Sequence, residues 1–327
     1  MRALVVTNMW PTPSEPQLGS FVRDQVAALQ ELEGVDVEVF SFPPGGARGY
    51  LRAARTLRRR FAGERFDVVH AHFGLTAWPA LAVRGAPHAV TLHGTDLRHP
   101  RSRRITLAAL RRMDLVAAAS AELAADIPGA GSDRPVAVLP CGVDLDRFAA
   151  LPRAEARARL GLDPAGRYLL LPADPARPGK RADRARAVAE ATGAQLLTLG
   201  RVHPFEVPDW VNAANAVVVP SESEGFGLAV LEALACDVPV LATPVGIHPT
   251  ALDGIAGTLC ADFDVAAWSA AAEPHLASAD PRVAGRARAE LWSARRMAGR
   301  VLAAWAELTG SPLYSPAEAP EEGAVSV

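Results

Sequence analysis

Cysteine is scarce, lysine is all but absent, and long apolar runs are missing. The three cysteines in 327 residues, Cys141, Cys236 and Cys260, are odd in number and outside any CxxC spacing, which excludes a disulfide framework and a zinc knuckle. No uninterrupted apolar run approaches the ~18 residues of a spanning helix, and no signal-type apolar core follows Met1. The expectation is a protein of a reducing cytoplasm that does not cross a membrane. An excess of one charge is also lacking, since 34 Lys plus Arg face 36 Asp plus Glu for a net of −2. A dedicated nucleic-acid binder normally carries a strongly basic domain, so nucleic acid is not expected as a partner.

What is present is a soluble globular composition, 50% hydrophobic and 21% charged, at a length that favours two domains over one. The charge is unevenly spread. Residues 48–112 hold 14 Arg against Glu64, Asp67 and Asp96, a local net of +11. Of the basic residues 33 are Arg and one, Lys180, is Lys. A guanidinium does not fully replace a compact ammonium pointed at a phosphate, so Lys180 reads either as a chance survivor or as a position that needs an ammonium.

Short apolar runs ending in small or polar residues recur at 3–8, 35–41, 66–72, 88–94, 115–120 and 136–142. They lack polar alternation and are separated by Ala/Leu/Arg-rich helical stretches, the pattern of parallel strands buried on both faces. After a Pro/Gly break at 151–166 the pattern restarts at 167–173, 194–200, 216–221, 239–243 and 258–262. This predicts an α/β chain of two Rossmann-like, doubly wound domains facing a cleft: residues 1–160, residues 161–310 with a last helix able to pack back on the first domain, and a disordered tail at 311–327. Ligands of such sheets sit beyond the carboxyl ends of the strands.

The most informative segment runs from Pro220 to Pro244. A strand leads into Glu224-Gly225-Phe226-Gly227, and a helix begins near Gly227. The glycines admit close backbone approach and the helix N-terminus offers free donors and a favourable dipole, together a phosphate site. Glu224 precedes the helix and Glu232 lies inside it; the bland alternative is a dipole-complementing carboxylate and a solvated helix residue. His93 ends a strand, where a lone histidine is more often structural than catalytic. His70 and His72 are read as facing opposite sides of their strand and so not as a metal pair. Asp96 fits a helix cap. In the stretch 51–61, Leu51, Ala54, Leu57 and Phe61 are expected inward and the arginines outward, as a solvated face or as an attachment to anionic lipid headgroups.

The Glu224-x7-Glu232 block in PSESEGFGLAVLEALACDVPVLAT resembles the signature of the family 4 retaining glycosyltransferases of GT-B fold. The Gly19 loop, Phe66–His72, Thr91–Asp96 and Leu139–Phe148 are similar to further segments of that family, so the likeness spans nearly the whole chain. The resemblance implies a nucleotide-diphospho-sugar donor and a hydroxyl acceptor, with retention at the anomeric carbon and no metal or other cofactor. It implies Lys180 on the diphosphate, with Arg177 or Arg181 standing in for an Arg that the family has where Pro175 stands here. It places Glu224 on the sugar hydroxyls, Glu232 on the ribose, and the amides of Phe226, Gly227 and Leu228 on sugar and phosphates. Gly19 would let its loop close over the diphosphate. His93 would meet donor sugar or acceptor, with His72 and Asp96 on the acceptor side. Only 40 residues separate Lys180 from Ser221, room for a single strand where the family has two, and Ile247-His248-Pro249-Thr250 replaces a glycine followed by an acid. A nucleotide-sugar epimerase or hydrolase on the same fold, and a non-catalytic nucleotide-binding scaffold, stand as the alternatives.

Overall fold

The computed structural model describes residues 1–129, 135–200 and 202–311. Two compact units form: unit 1 joins Met1–Gly142 to the segment from Ala294 onward, and unit 2 is Val143–Ser293. The tail expected at 311–327 lies, but for Ser311, outside the described residues.

Unit 1 is built on strands β1 (Arg2–Thr7), β2 (Asp36–Ser41), β3 (Val68–His72), β4 (His88–Leu92), β5 (Leu115–Ala118) and β6 (Ala137–Val138), in the order β2-β1-β3-β4-β5-β6. All neighbours are parallel, with Thr7 beside His72 and His72 beside Thr91 in the register. Runs such as Leu-Val-Val in β1 take this place because helices cover both faces of the sheet, so the side chains of its central strands β3 and β4 are all buried. Helices Ser20–Gln30 and Ala294–Thr309 cover one face through Val22, Val26, Leu29, Met297, Val301 and Trp305. Helices Ala47–Arg60 and Pro100–Leu110 cover the other through Ala53, Leu57, Ala109 and Leu110. A fully buried leucine such as Leu57 contributes about 1.5–3 kcal/mol of transfer free energy.

Unit 2 holds β7 (Tyr168–Leu171), β8 (Gln195–Thr198), β9 (Ala216–Val219), β10 (Val240–Ala242) and β11 (Leu259–Cys260), in the order β11-β10-β9-β7-β8. One strand, β8, lies between β7 and β9 in sequence, as the short spacing requires. The boundary between units falls at Gly142/Val143, ahead of the expected 160. Helix Arg153–Leu160 belongs to unit 2 because two of its arginines are inside that unit. Arg153 and Arg157 are 2% and 3% exposed. The first donates to the carbonyls of Ser278 and Ala279, the second to those of Ala213 and Pro164 and to Asn215 Oδ1. Buried guanidinium groups are tolerated when hydrogen-bonded in this way. Among the described residues no helix is long and apolar enough to cross a membrane.

Candidate active site

In unit 2 the strand order reverses between β7 and β9, the point at which open α/β sheets hold ligands. The loops leaving these strands are strapped together there. Glu222 N donates to Gly179 O at 3.0 Å, Arg181 pairs with Glu222 at 2.9 Å, and Lys180 Nζ lies 2.6 Å from Glu224 Oε1. Lys180 closes a 3-10 turn, Pro178–Lys180, and Arg181 then adopts a left-handed backbone to start helix Ala182–Thr192. The Lys180 and Glu224 side chains are only 18% and 11% exposed. Burial pushes the Glu224 carboxyl up, but the Lys180 ammonium beside it holds the group below its ordinary value. The carboxylate thus stays charged in a place that would otherwise neutralise it. Arg181 is occupied by Asp183 and Glu222, whereas Arg177 is exposed on the loop.

Behind this pair the backbone is prepared for an anion. Gly227, at φ 106°, precedes helix Leu228–Ala235, whose first N–H groups have no partner within the helix. A Cβ at Gly227 would sit 2.7 Å from His248 Nε2, so the position requires glycine both for conformation and for space. His248 is fully buried, with Nδ1 2.8 Å from Thr243 O, and Thr243 Oγ1 donates to Ser221 O at 2.6 Å. Gly246 packs so closely that a Cβ would meet Phe226 O at 2.4 Å, and Ile247 N donates to that same oxygen at 2.8 Å. The segment 243–248 is therefore the back wall of the glycine loop. The sequence marked it only as a loop change, although a histidine in place of the family's small loop residue was the visible signal. Glu232 is half-buried on the helix itself.

Unit 1 has its own cluster beyond β3 and β4. His93 lies between Phe21 and Phe73, with ring centroids 4.8 Å away on each, and its Nε2 is 3.0 Å from His72 Nδ1. Phe73 holds φ 73°, an unusual state for a bulky residue. Gly19, at φ 66°, lets helix Ser20–Gln30 start against Met9, where a Cβ would meet Met9 O at 2.1 Å. Trp305 Nε1 donates to His70 Nδ1 at 3.0 Å, so the proton of a neutral His70 is on Nε2, which faces Thr91 Oγ1 at 2.8 Å. Burial pushes His70 and His93 down to about 3, and His72 also falls well below its ordinary value. All three rings are uncharged at neutral pH.

Three expectations change here. His70 and His72 are not on opposite faces: their rings stack, centroids 4.8 Å apart, because the period of two in a strand returns residues i and i+2 to one side. His72 is fully buried, between His93 and Gln25, instead of facing an acceptor. Asp96, 5% exposed, accepts from Gly74 N at 2.9 Å and His93 N at 2.7 Å. Its carboxylate fastens the ends of β3 and β4, and burial raises its pKa. Gln25 and Trp305 were not singled out from sequence, since each reads there as an ordinary helix residue.

Comparison with known proteins places the chain among relatives. A family model described as Glycosyltransferase Family 4 matches residues 4–147, and one described as Glycosyl transferases group 1 matches 173–278. A D-inositol 3-phosphate glycosyltransferase of Frankia alni is 33% identical over 261 residues, 62% of this chain and 64% of that protein. The chain thus spans a little under two thirds of that relative. A protein of the same name from Actinosynnema mirum is 30% identical over 315 residues, 79% of this chain and 74% of its own length. Among solved structures, the sucrose-phosphate synthase of Thermosynechococcus elongatus superposes with TM-score 0.72 at 18% identity, covering 95% of this chain and all of the other. Anabaena HepE in complex with UDP and glucose gives 0.68 at 15% identity, covering 93% and 99%. At these identities the two structures speak for the fold.

Proposed function

The chain belongs to the family 4 glycosyltransferases of GT-B fold, and from that premise we propose that it moves a sugar from a nucleotide-diphospho-sugar to an acceptor hydroxyl with retention at the anomeric carbon. The observation that carries the reading is the Lys180–Glu224 pair at the strand-order reversal, beside a helix N-terminus that glycine opens. In the proposed reaction the bond from the anomeric carbon to the diphosphate oxygen breaks, and the diphosphate leaves with the electron pair. The acceptor oxygen bonds to the same face and gives its proton to the departing phosphate. Lys180, Arg177 and the amides of Phe226, Gly227 and Leu228 would meet the charge that develops on the phosphates, the largest source of rate acceleration in sites of this kind. Glu224, together with Gly225, would hold the sugar, and Glu232 the ribose. His93, in unit 1, would contribute a contact to sugar or acceptor, with Gly19 in the loop that admits the diphosphate.

The proposed reaction needs no metal. Support comes from the groups present, because the Lys180 ammonium and the first amides of helix Leu228–Ala235 are able to neutralise the phosphates. Product analysis with a nucleotide-sugar panel, begun with UDP-sugars and with an inositol phosphate acceptor in view of the relatives' names, is the test. Acceptor-dependent glycoside formation that survives a chelator is expected. Hydrolysis or epimerisation alone, with or without acceptor, would replace transfer by the rival enzyme reading. Activity abolished by a chelator and restored by magnesium would overturn metal independence.

We further propose that the arginine-rich face of unit 1 meets an anionic membrane surface. In helix Ala47–Arg60 the inward residues are Ala53 and Leu57, and Phe61 follows them inward. Leu51, expected inward, is 56% exposed among Arg48, Arg52, Arg55 and Arg59. Helix Pro100–Leu110 exposes Ile105 at 49% beside Arg101 and Arg104. An apolar tip surrounded by cations suits a headgroup layer. Replacing Arg58, Arg59 and Arg60 by Ser should lower binding to phosphatidylserine-containing vesicles and leave nucleotide affinity unchanged, with binding of the parent protein weakening as salt rises. A parent protein that ignores such vesicles at low salt would leave these arginines as a solvated face.

A further inference from the structure

We propose that Gln25 is a positioning residue that sets the direction of hydrogen bonding through His72 and so makes His93 present an N–H at Nδ1. The inference rests on the reading of His93 as a substrate-contacting group. Gln25 Nε2 lies 3.4 Å from His72 Nε2, and His72 Nδ1 lies 3.0 Å from His93 Nε2. Gln25 is 6% exposed and His72 fully buried, so water does not compete between these two.

Each neutral imidazole has one N–H and one lone pair, and an amide NH2 only donates. With the amide turned so that its NH2 faces the ring, the orientation in this structure, His72 Nε2 is the lone pair, which leaves its proton on Nδ1. His72 then donates to His93 Nε2, and the proton of His93 is confined to Nδ1. The low proton affinity that burial gives His72 and His93 keeps each ring singly protonated, without which the line would carry no direction. His93 is also held against tilting, since Phe21 and Phe73 flank it at 4.8 Å. Phe21 and Gln25 are one turn apart on helix Ser20–Gln30, so a single helix face both packs the ring and fixes its tautomer. An uncharged, oriented N–H suits an oxygen that accepts, a sugar hydroxyl or a phosphoryl oxygen. The opposite tautomer would present a bare lone pair, which repels a phosphoryl oxygen and can only accept from a hydroxyl.

The test is the ring-nitrogen spectrum of the full chain labelled with 15N-histidine, where long-range proton–nitrogen correlations separate the two tautomers. In the parent protein His93 should be protonated on Nδ1 only. In Gln25→Met, which keeps the length of the side chain and removes its polar atoms, nothing selects a direction, and both tautomers of His93 should appear. Its kcat should fall about 2- to 10-fold, the value of one neutral hydrogen bond, with donor KM held. A parent His93 protonated on Nε2 overturns the proposal, as does an unchanged tautomer in Gln25→Met. Mixed tautomers with unchanged kcat would overturn the positioning role. The spectrum requires neither donor nor turnover. If no nucleotide stabilises the protein and no transfer occurs, the functional reading fails on its own, and the parent spectrum still decides the direction of the line even if the variant does not fold.

Discussion

On its proposed role, Lys180→Ala should lower kcat by roughly 30- to 150-fold, the equivalent of two to three kcal/mol from a charge-assisted contact to the leaving diphosphate, and should weaken binding of the free nucleoside diphosphate. Steady-state kinetics and a nucleotide titration read both effects. Glu224→Gln should bring a fall of similar size in kcat, because the amide keeps the shape and loses the charge proposed to favour a developing positive ring. Glu232→Ala should differ from both and mainly raise donor KM, since the ribose contact proposed for it would be equal in ground and transition states. The two larger losses do not multiply. Lys180 Nζ and Glu224 Oε1 are 2.6 Å apart, so removing either partner already disturbs the other, and the double variant should be much less impaired than the product of the single losses. In Lys180→Ala the Glu224 carboxyl keeps its burial and loses its cation, so its pKa rises and the acidic limb of the activity profile moves to higher pH. Near-parent turnover in both single variants would remove this pair from the active site.

Trp305→Ala destabilises unit 1 by about 3–5 kcal/mol, the cost of emptying a large buried aromatic site. The side chain is fully buried in the core that helix Ala294–Thr309 shares with Val5, Val22, Val26 and Leu29. Its indole N–H also satisfies His70 Nδ1. Trp305→Phe fills most of the volume and leaves that nitrogen without a donor, so a smaller loss of about 1–3 kcal/mol is expected. Denaturant unfolding followed by hydrogen exchange in β3 and β4 checks both, and a Trp305→Ala chain within ~0.5 kcal/mol of the parent would contradict the packing described.

The strands were legible because a parallel sheet covered on both faces writes itself as a largely apolar run, and β2 to β11 each fall within one of the runs, with β1 starting one residue ahead of its own. Lys180 stood out against an arginine background and Glu224 against the glycines beside it. The unit boundary was not legible, because Arg153 and Arg157 look like surface residues until the carbonyls that receive them are known. Leu51 misled for the opposite reason: a leucine was assigned inward although Ala53 and Leu57 already define the buried stripe. Gln25 and Trp305 act through partners distant in sequence, and nothing local marks them, whereas His248 showed only as a departure within its loop.

The division of the chain bears on how it is made. Unit 2 is one continuous stretch, Val143–Ser293, whereas unit 1 needs both Met1–Gly142 and the segment that begins at Ala294. As the chain emerges from the ribosome, unit 1 must wait with the sheet face that Trp305 will cover still open to water, while unit 2, synthesised later, already has all of its own sequence. A chain interrupted just before Ala294 would therefore release a finished second unit attached to an unfinished first one, with the exposed apolar face that chaperones recognise.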